Sequence, residues 1–184
     1  MFTQKQSEIL ISYIKSKIDN LYNLSLPVIA DKELNTLSNT QHKGFYIGII
    51  DSKEEEVVRT GIMHENLTNI VTSADTACQM VYDHCKLQNI PKSKIQTSTF
   101  YTTVITDVQY IADPRLWDET KDGIYFMWGQ DFKGFYLPYE IQRMGLSKIE
   151  IWDHLLSTQI KIASNLWKLP EGLCWRLSCI SIKS

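Results

Sequence analysis

The 184-residue chain is 43% hydrophobic and 22% charged, and its 19 basic and 21 acidic side chains leave a formal charge of −2. This balance excludes a general positive field for polyanions and leaves nucleic-acid binding to a local basic patch at most. The length suits one domain, or one domain with a small lobe, that buries a core without disulfides or metals. No run of about 18 apolar residues occurs, and the first positions are studded with Lys, Gln and Ser. Neither a membrane span nor a secretory signal is therefore expected, and the chain is expected to be soluble and cytoplasmic.

Thr3 with Gln6 forms a capping box, and Ile9, Leu10, Tyr13, Ile14, Ile18 and Leu21 recur at helical spacing, which predicts an amphipathic helix to about Tyr22. Asn23–Pro27 breaks it, and Ala30–Leu37 reads as a short helix before the polar loop Ser38–Lys43. Gly44–Ile50 and Glu56–Met63 read as two strands of a hairpin joined by the charged turn DSKEE. The acidic run Glu54–Glu56 is read as a solvated turn in preference to a metal site, because consecutive side chains point in different directions.

From Asn66, taken as a helix cap, the residues Leu67, Ile70, Val71, Ala74, Ala77, Cys78, Val81, Tyr82 and Cys85 follow the 3.6-residue period. The N-terminal amides of this helix either bind an anion or are simply capped. Asn89–Lys94, with Pro91, is a loop, and Thr97–Tyr110 is rich in β-branched and aromatic residues, as befits a long central strand. Ala112–Asp122 then crosses over as a polar loop with turn chemistry at Asp113-Pro114 and Asp122-Gly123.

Gly123–Gly145 is the aromatic-rich stretch around which the fold is expected to form. Gly123–Trp128 is a strand, GQDFKG a turn, and Phe135–Leu137 a second short strand. Pro138, which lacks a backbone N–H, is placed to open a helix through Met144. After a break at Gly145 and a cap at Ser147, Leu146–Ser164 reads as a further helix, and Gly172–Ile182 closes the chain as a strand with Leu173, Trp175, Leu177 and Cys179 on one side. With no repeat, low-complexity tract or linker, one domain over residues 1–184 is the economical reading.

Candidate chemistry is sparse. The cysteines at 78, 85, 174 and 179 make neither a CxxC nor a zinc spacing and read as buried thiols, with a thiol nucleophile as the alternative. His42, His64, His84 and His154 have no motif around them. His64 stands out, since it falls where the Arg59 strand meets the long helix, and strand end, imidazole and helix amides can converge on an anion there. Arg59 offers a planar fork to a phosphate or carboxylate, or an ion pair to a nearby glutamate. Asp113, Asp118 and Asp122 share a loop with Trp117, but their spacing is not that of a calcium loop. Tyr125, Trp128, Phe132 and Phe135 either stack bases on an exposed sheet face or pack a core. A phosphate loop, a GxSxG elbow and an HExxH motif are all missing, and no cofactor is expected.

Taken in order, these segments resemble the AMMECR domain family. Gly44-Phe45-Tyr46-Ile47-Gly48-Ile49 matches its Gly-x-Phe-Val-Thr-Leu strand, and Val58-Arg59-Thr60-Gly61-Ile62-Met63 stands where the family carries Leu-Arg-Gly-Cys-Ile-Gly. The long helix follows, Tyr101–Thr106 parallels a Val-Ser-Leu-Leu strand, and Gly123-Ile124 with Tyr136-Leu137-Pro138-Tyr139-Glu140 parallels the Gly-Ile…Phe-Leu-Pro-Glu signature. The family's cysteine falls on Gly61 and its second glycine on Met63, while Tyr82–Leu87 replaces an Asp-Pro-Arg-Phe segment. The resemblance implies an α+β fold, mainly antiparallel, with flanking helices and room for a small second lobe. The family's association with Memo-like and radical-SAM proteins implies a protein partner and a part in modifying a nucleic acid or metabolite.

The expectation that follows is an accessory or binding protein that recognises a partner protein or an anionic ligand and has no catalysis of its own. Its cleft would lie between the Arg59–His64 strand and the aromatic hairpin, with Arg59, His64, Asn66 and Trp128 as ligand contacts. The alternative is an enzyme acting on a nucleotide or nucleic acid, with His64 as acid/base and Arg59 as anion clamp.

Overall fold

Thr3 and Gln6 cap each other at the start of the chain. The Thr3 amide donates to Gln6 Oε1 (2.9 Å) and the Gln6 amide to Thr3 Oγ1 (3.2 Å). Helix α1, Gln4–Asn23, follows and buries Leu10, Tyr13, Ile14 and Ile18. The computed structural model describes residues 2–23, 34, 36, 37 and 40–184. The helix expected over Ala30–Leu37 lies outside this set apart from residues 34, 36 and 37.

Strands β1, Gln41–Ile50, and β2, Glu56–Asn69, form the expected antiparallel hairpin. The Asp51 carboxylate accepts from the amides of Lys53 (2.9 Å) and Glu55 (3.1 Å) and so shapes the charged turn. Both strands run beyond their expected ends. β2 continues through Leu67 to Asn69, so helix α2 is Ile70–Leu87 and its cap is Asn69, whose Oδ1 accepts from the Val71 amide at 2.8 Å. Asn66 is therefore a strand residue, and Leu67, counted on the helical stripe, is 52% exposed. An N-cap asparagine contributes about 1 kcal/mol. Asn69→Ala is expected to lower stability by about that amount in urea unfolding, and Asn66→Ala to leave it unchanged.

Pro91 introduces a short helix, α3, Lys92–Gln96, inside what reads as a loop. The remaining elements are β3, Thr99–Tyr110; β4, Asp122–Trp128; β5, Phe132–Tyr136; α4, Pro138–Met144; α5, Lys148–His154; and β6, Gly172–Lys183. The result is a mixed α+β fold with an antiparallel hairpin at β1–β2, another at β4–β5, and β6 antiparallel to β4.

The chain divides into two compact units, Met1–Val104 with Ile180–Ser184, and Ile105–Cys179. In the first, the strands run in the order β2-β1-β3-β6. Leu10, Ile14 and Ile18 of α1 meet Ala74, Ala77, Cys78 and Val81 of α2 and Phe45, Ile47 and Ile49 of β1 in one buried core.

In the second unit, β3 and β6 continue beside β4 and β5, in the order β3-β6-β4-β5. Phe126, Tyr136, Ile141, Trp152 and Leu155 form its core, and the Trp152 indole N–H donates to the Pro114 carbonyl at 2.7 Å. Gly145, at φ +63°, ends α4, and Glu150 returns to the Ser147 amide (2.9 Å) to cap α5. The helix expected to Ser164 is shorter: α5 gives way to a π-helical turn, Leu155–Ile160, closed by Lys161 at φ +60°. That widened turn sets Gln159 Oε1 3.0 Å from the Phe135 amide. An outer amide of the edge strand β5 is thereby occupied, and unpaired edge groups are what recruit other chains.

Candidate functional site

Strand alternation decides what β2 can do. Phe45, Ile47 and Ile49 pair with Ile62, Thr60 and Val58 on the side of the helical core. Gly44, Tyr46 and Gly48 pair with Met63, Gly61 and Arg59 on the other. Arg59 is half-buried there. The Tyr101 ring lies directly over Gly48, where an added Cβ would fall 1.7 Å from the ring's Cζ, and the Tyr101 hydroxyl donates to Glu56 Oε2 at 3.1 Å. At Gly61 a Cβ would sit 2.2 Å from the Phe45 carbonyl oxygen and 2.6 Å from both Cα and Cδ1 of Tyr46. Neither glycine leaves space for a side chain.

Beyond Met63 the pairing slips. β1 advances from Gly44 to His42 while β2 advances from Met63 to Thr68, so His64–Leu67 bulge out of register, a device that re-aims side chains. His64 turns to the helix side, its Nε2 3.0 Å from Ser73 Oγ of α2. Its ring lies 5.7 Å from that of His42, with 66° between the planes. His42 is completely buried, tilted against Phe45, and among the described residues neither ring nitrogen has a hydrogen-bond partner. Burial pushes its pKa down and proximity to His64 adds to this, while the nearby backbone of Asn69 and Gly44 acts in the other direction.

The expected contacts are thus sorted by the strand. Arg59 and His64 stand on opposite faces of β2 and do not converge on one ligand. Asn66 is exposed in the bulge and caps nothing. Trp128 belongs to the second unit, at the end of β4 opposite Phe132 and Gly172, and packs in part against that unit's core. The other hairpin aromatics divide by parity. Phe126 and Tyr136 point into the core, whereas Tyr125 and Phe135 pair on a half-exposed face, where Trp175 lies 5.2 Å from Tyr125 and 6.0 Å from Tyr110.

The loop aspartates serve local structure. Asp113 binds Arg115, Asp118 binds Thr120 and Lys121, and Asp122 Oδ2 accepts from the Asp118 amide. Among the described residues no group of three or more His, Cys, Asp or Glu side chains could hold a metal ion. The thiols lie deep: burial pushes Cys78 and Cys85 up, and Cys174 and Cys179 up to about 12, so all stay protonated at neutral pH. Sequence reasoning counted His42 among four candidate histidines without singling it out, and missed Ser73. A sign of Ser73 was present, a lone hydroxyl on the apolar stripe Ile70–Ala74–Ala77. His42 carried none, because it falls in a stretch that reads as polar loop.

The architecture defines this chain first as an α+β protein of two units built on an antiparallel sheet. Among solved structures it is similar to an uncharacterized protein from Pyrococcus horikoshii, with a TM-score of 0.71 and 12% identity over 98% of this chain and 92% of that one. No protein-family model matches the chain, and no curated protein matches it. Among the described residues no helix is long and apolar enough to cross a membrane.

Proposed function

We propose that this chain is a divergent AMMECR-like domain that acts by binding. It recognises a partner protein or an anionic ligand at the Arg59 face of its first unit, without catalysis of its own. The observation that carries this reading is the closure at Gly61: where the resemblance puts a cysteine, β1 leaves no volume for any side chain. The mixed α+β architecture with its antiparallel hairpins is of the kind that the resemblance implies. A Memo-like or radical-SAM protein is the partner class that the resemblance suggests. The enzymatic alternative requires His64 and Arg59 in one site, and their opposite faces count against it.

Titration with inorganic polyphosphate, read by calorimetry on wild type, Arg59→Ala and Arg59→Lys, tests the anionic branch. Charge-assisted hydrogen bonds contribute about 1.5–3 kcal/mol, so Arg59→Ala is expected to weaken binding roughly tenfold or more while its circular-dichroism spectrum shows the fold retained. Arg59→Lys should fall between the two, because a lysine keeps the charge but not the fork. Equal binding by wild type and Arg59→Ala would remove the anionic ligand and leave the partner protein. Turnover of a nucleotide by the wild type that His64→Ala abolishes would overturn the proposal.

A further inference from the structure

The second unit holds a cleft that the proposed function does not use. The end of β3, the loop after it, the start of α5 and the 3-10 turn Leu166–Lys168 surround an open space of about 640 Å³, within the range of small-molecule sites. Its rim is apolar where surfaces are usually polar: Tyr110 is 53% exposed, Ile149 44% and Leu169 46%, and Trp167 forms part of the wall.

Three charged side chains complete it. Arg115 is held as a fixed fork by Asp113, Nε to Oδ1 at 2.9 Å and Nη2 to Oδ2 at 3.0 Å. Two of its five N–H donors are thereby used, and among the described residues the others have no partner. Lys168 lies 5.0 Å from the Trp167 ring centroid and among the described residues has no carboxylate partner. Asp113 cancels Arg115, so the cleft carries the single positive charge of Lys168, on a chain whose net charge is −2.

From this juxtaposition we infer that the cleft of Tyr110, Ile149, Trp167 and Leu169 binds a small molecule with an apolar, ring-sized body and one negative charge, held by Lys168 and the unused donors of Arg115. Apolar contact supplies the affinity and the oriented cations fix the charged end. A neutral body would keep the first contribution and lose the second, and a polyanion would meet Asp113.

The probe is 1-anilinonaphthalene-8-sulfonate, an apolar ring system with one negative charge, compared with its neutral relative N-phenyl-1-naphthylamine. Saturable binding of the sulfonate at one site is expected. Lys168→Gln should weaken it about fivefold, within the range of a charge-assisted contact at an exposed site, and leave the neutral relative unaffected. The signs at the fork are opposed: Arg115→Gln leaves Asp113 uncompensated and weakens the sulfonate, whereas Asp113→Asn frees the guanidinium and strengthens it. Leu169→Asp should weaken both probes. All four positions are at the surface, and a circular-dichroism melt checks each variant. The inference is overturned if the sulfonate does not saturate, if Lys168→Gln and Leu169→Asp bind it as the wild type does, or if Arg115→Gln and Asp113→Asn shift its affinity in the same direction. Arg59→Ala leaves this binding unaltered, so the two proposals fail independently.

Discussion

Gly61→Cys is expected to destabilise the first unit and to create no reactive centre. The three atoms nearest an added Cβ are the Phe45 carbonyl oxygen at 2.2 Å and Cα and Cδ1 of Tyr46 at 2.6 Å. Two of these are backbone atoms of β1, paired with β2 along the whole register from Gly44↔Met63 to Ile49↔Val58, and a strand cannot rotate aside as a side chain can. Overpacking a core costs about 1–3 kcal/mol and occasionally more, and the backbone obstruction puts this substitution at or above the upper end. Gly61→Ala should cost nearly as much, because the first carbon is the one that collides. Adding Tyr46→Val to Gly61→Cys removes the ring contact but not the two backbone contacts, so little stability should return. Urea unfolding gives the cost, and a thiol-specific disulfide reagent gives the reactivity. The native thiols provide the background, since Cys78, Cys85 and Cys174 are buried and Cys179 is pushed up to about 12. A Gly61→Cys protein of wild-type stability with a rapidly labelled thiol would remove the observation on which the binding proposal rests.

Much of this fold is legible where one residue determines one local event. Thr3 and Gln6 set the start of α1, Pro138 opens α4, Gly145 ends it at positive φ, and Ser147 with Glu150 begins α5. In each case the partner lies within a few positions, so the pattern carries the physics. The errors gather where a distant strand decides. Asn66 and Asn69 are equally good caps by type, and the choice falls to Asn69 because its pairing with Gln41 holds β2 extended to that point. Leu67 fits the helical period by coincidence.

The candidate site shows both sides of this. An odd separation between Arg59 and His64 already implies opposite faces of a continuous strand, so that much was within reach of the sequence. The slip of register between Met63 and Thr68, which delivers His64 to Ser73, depends on how β1 is placed and has no local signature. The π-helical turn is similar. It forms over Leu155–Ile160 where Gln159 reaches the Phe135 amide and Tyr136 reaches His154 Nδ1 at 2.9 Å, contacts that span some twenty positions of chain.

Acid is expected to destabilise the wild type through His42, and His42→Leu to remove most of that sensitivity. The imidazole is fully buried with neither nitrogen partnered among the described residues, and burial, with His64 beside it, pushes its pKa below the usual value. In the unfolded chain a histidine titrates near about 6.5, so as the pH falls the unfolded state takes up this proton before the folded state does. Stability from the neutral ring is therefore complete above about pH 6.5 and is lost as the pH falls toward and through the folded pKa. Urea midpoints at about pH 7.5 and about pH 5 lie on either side of the unfolded-state value. At the upper pH, His42→Leu should match the wild type within about 1 kcal/mol, because leaving an unpaired polar group buried costs about 1–3 kcal/mol and its removal offsets the lost packing against Phe45. At the lower pH the variant should be the more stable protein. If wild type and His42→Leu lose stability in parallel, the acid sensitivity belongs to groups other than His42. If the variant is already much weaker at the upper pH, the ring has a partner in solution, and the His42–His64–Ser73 cluster is held together by it.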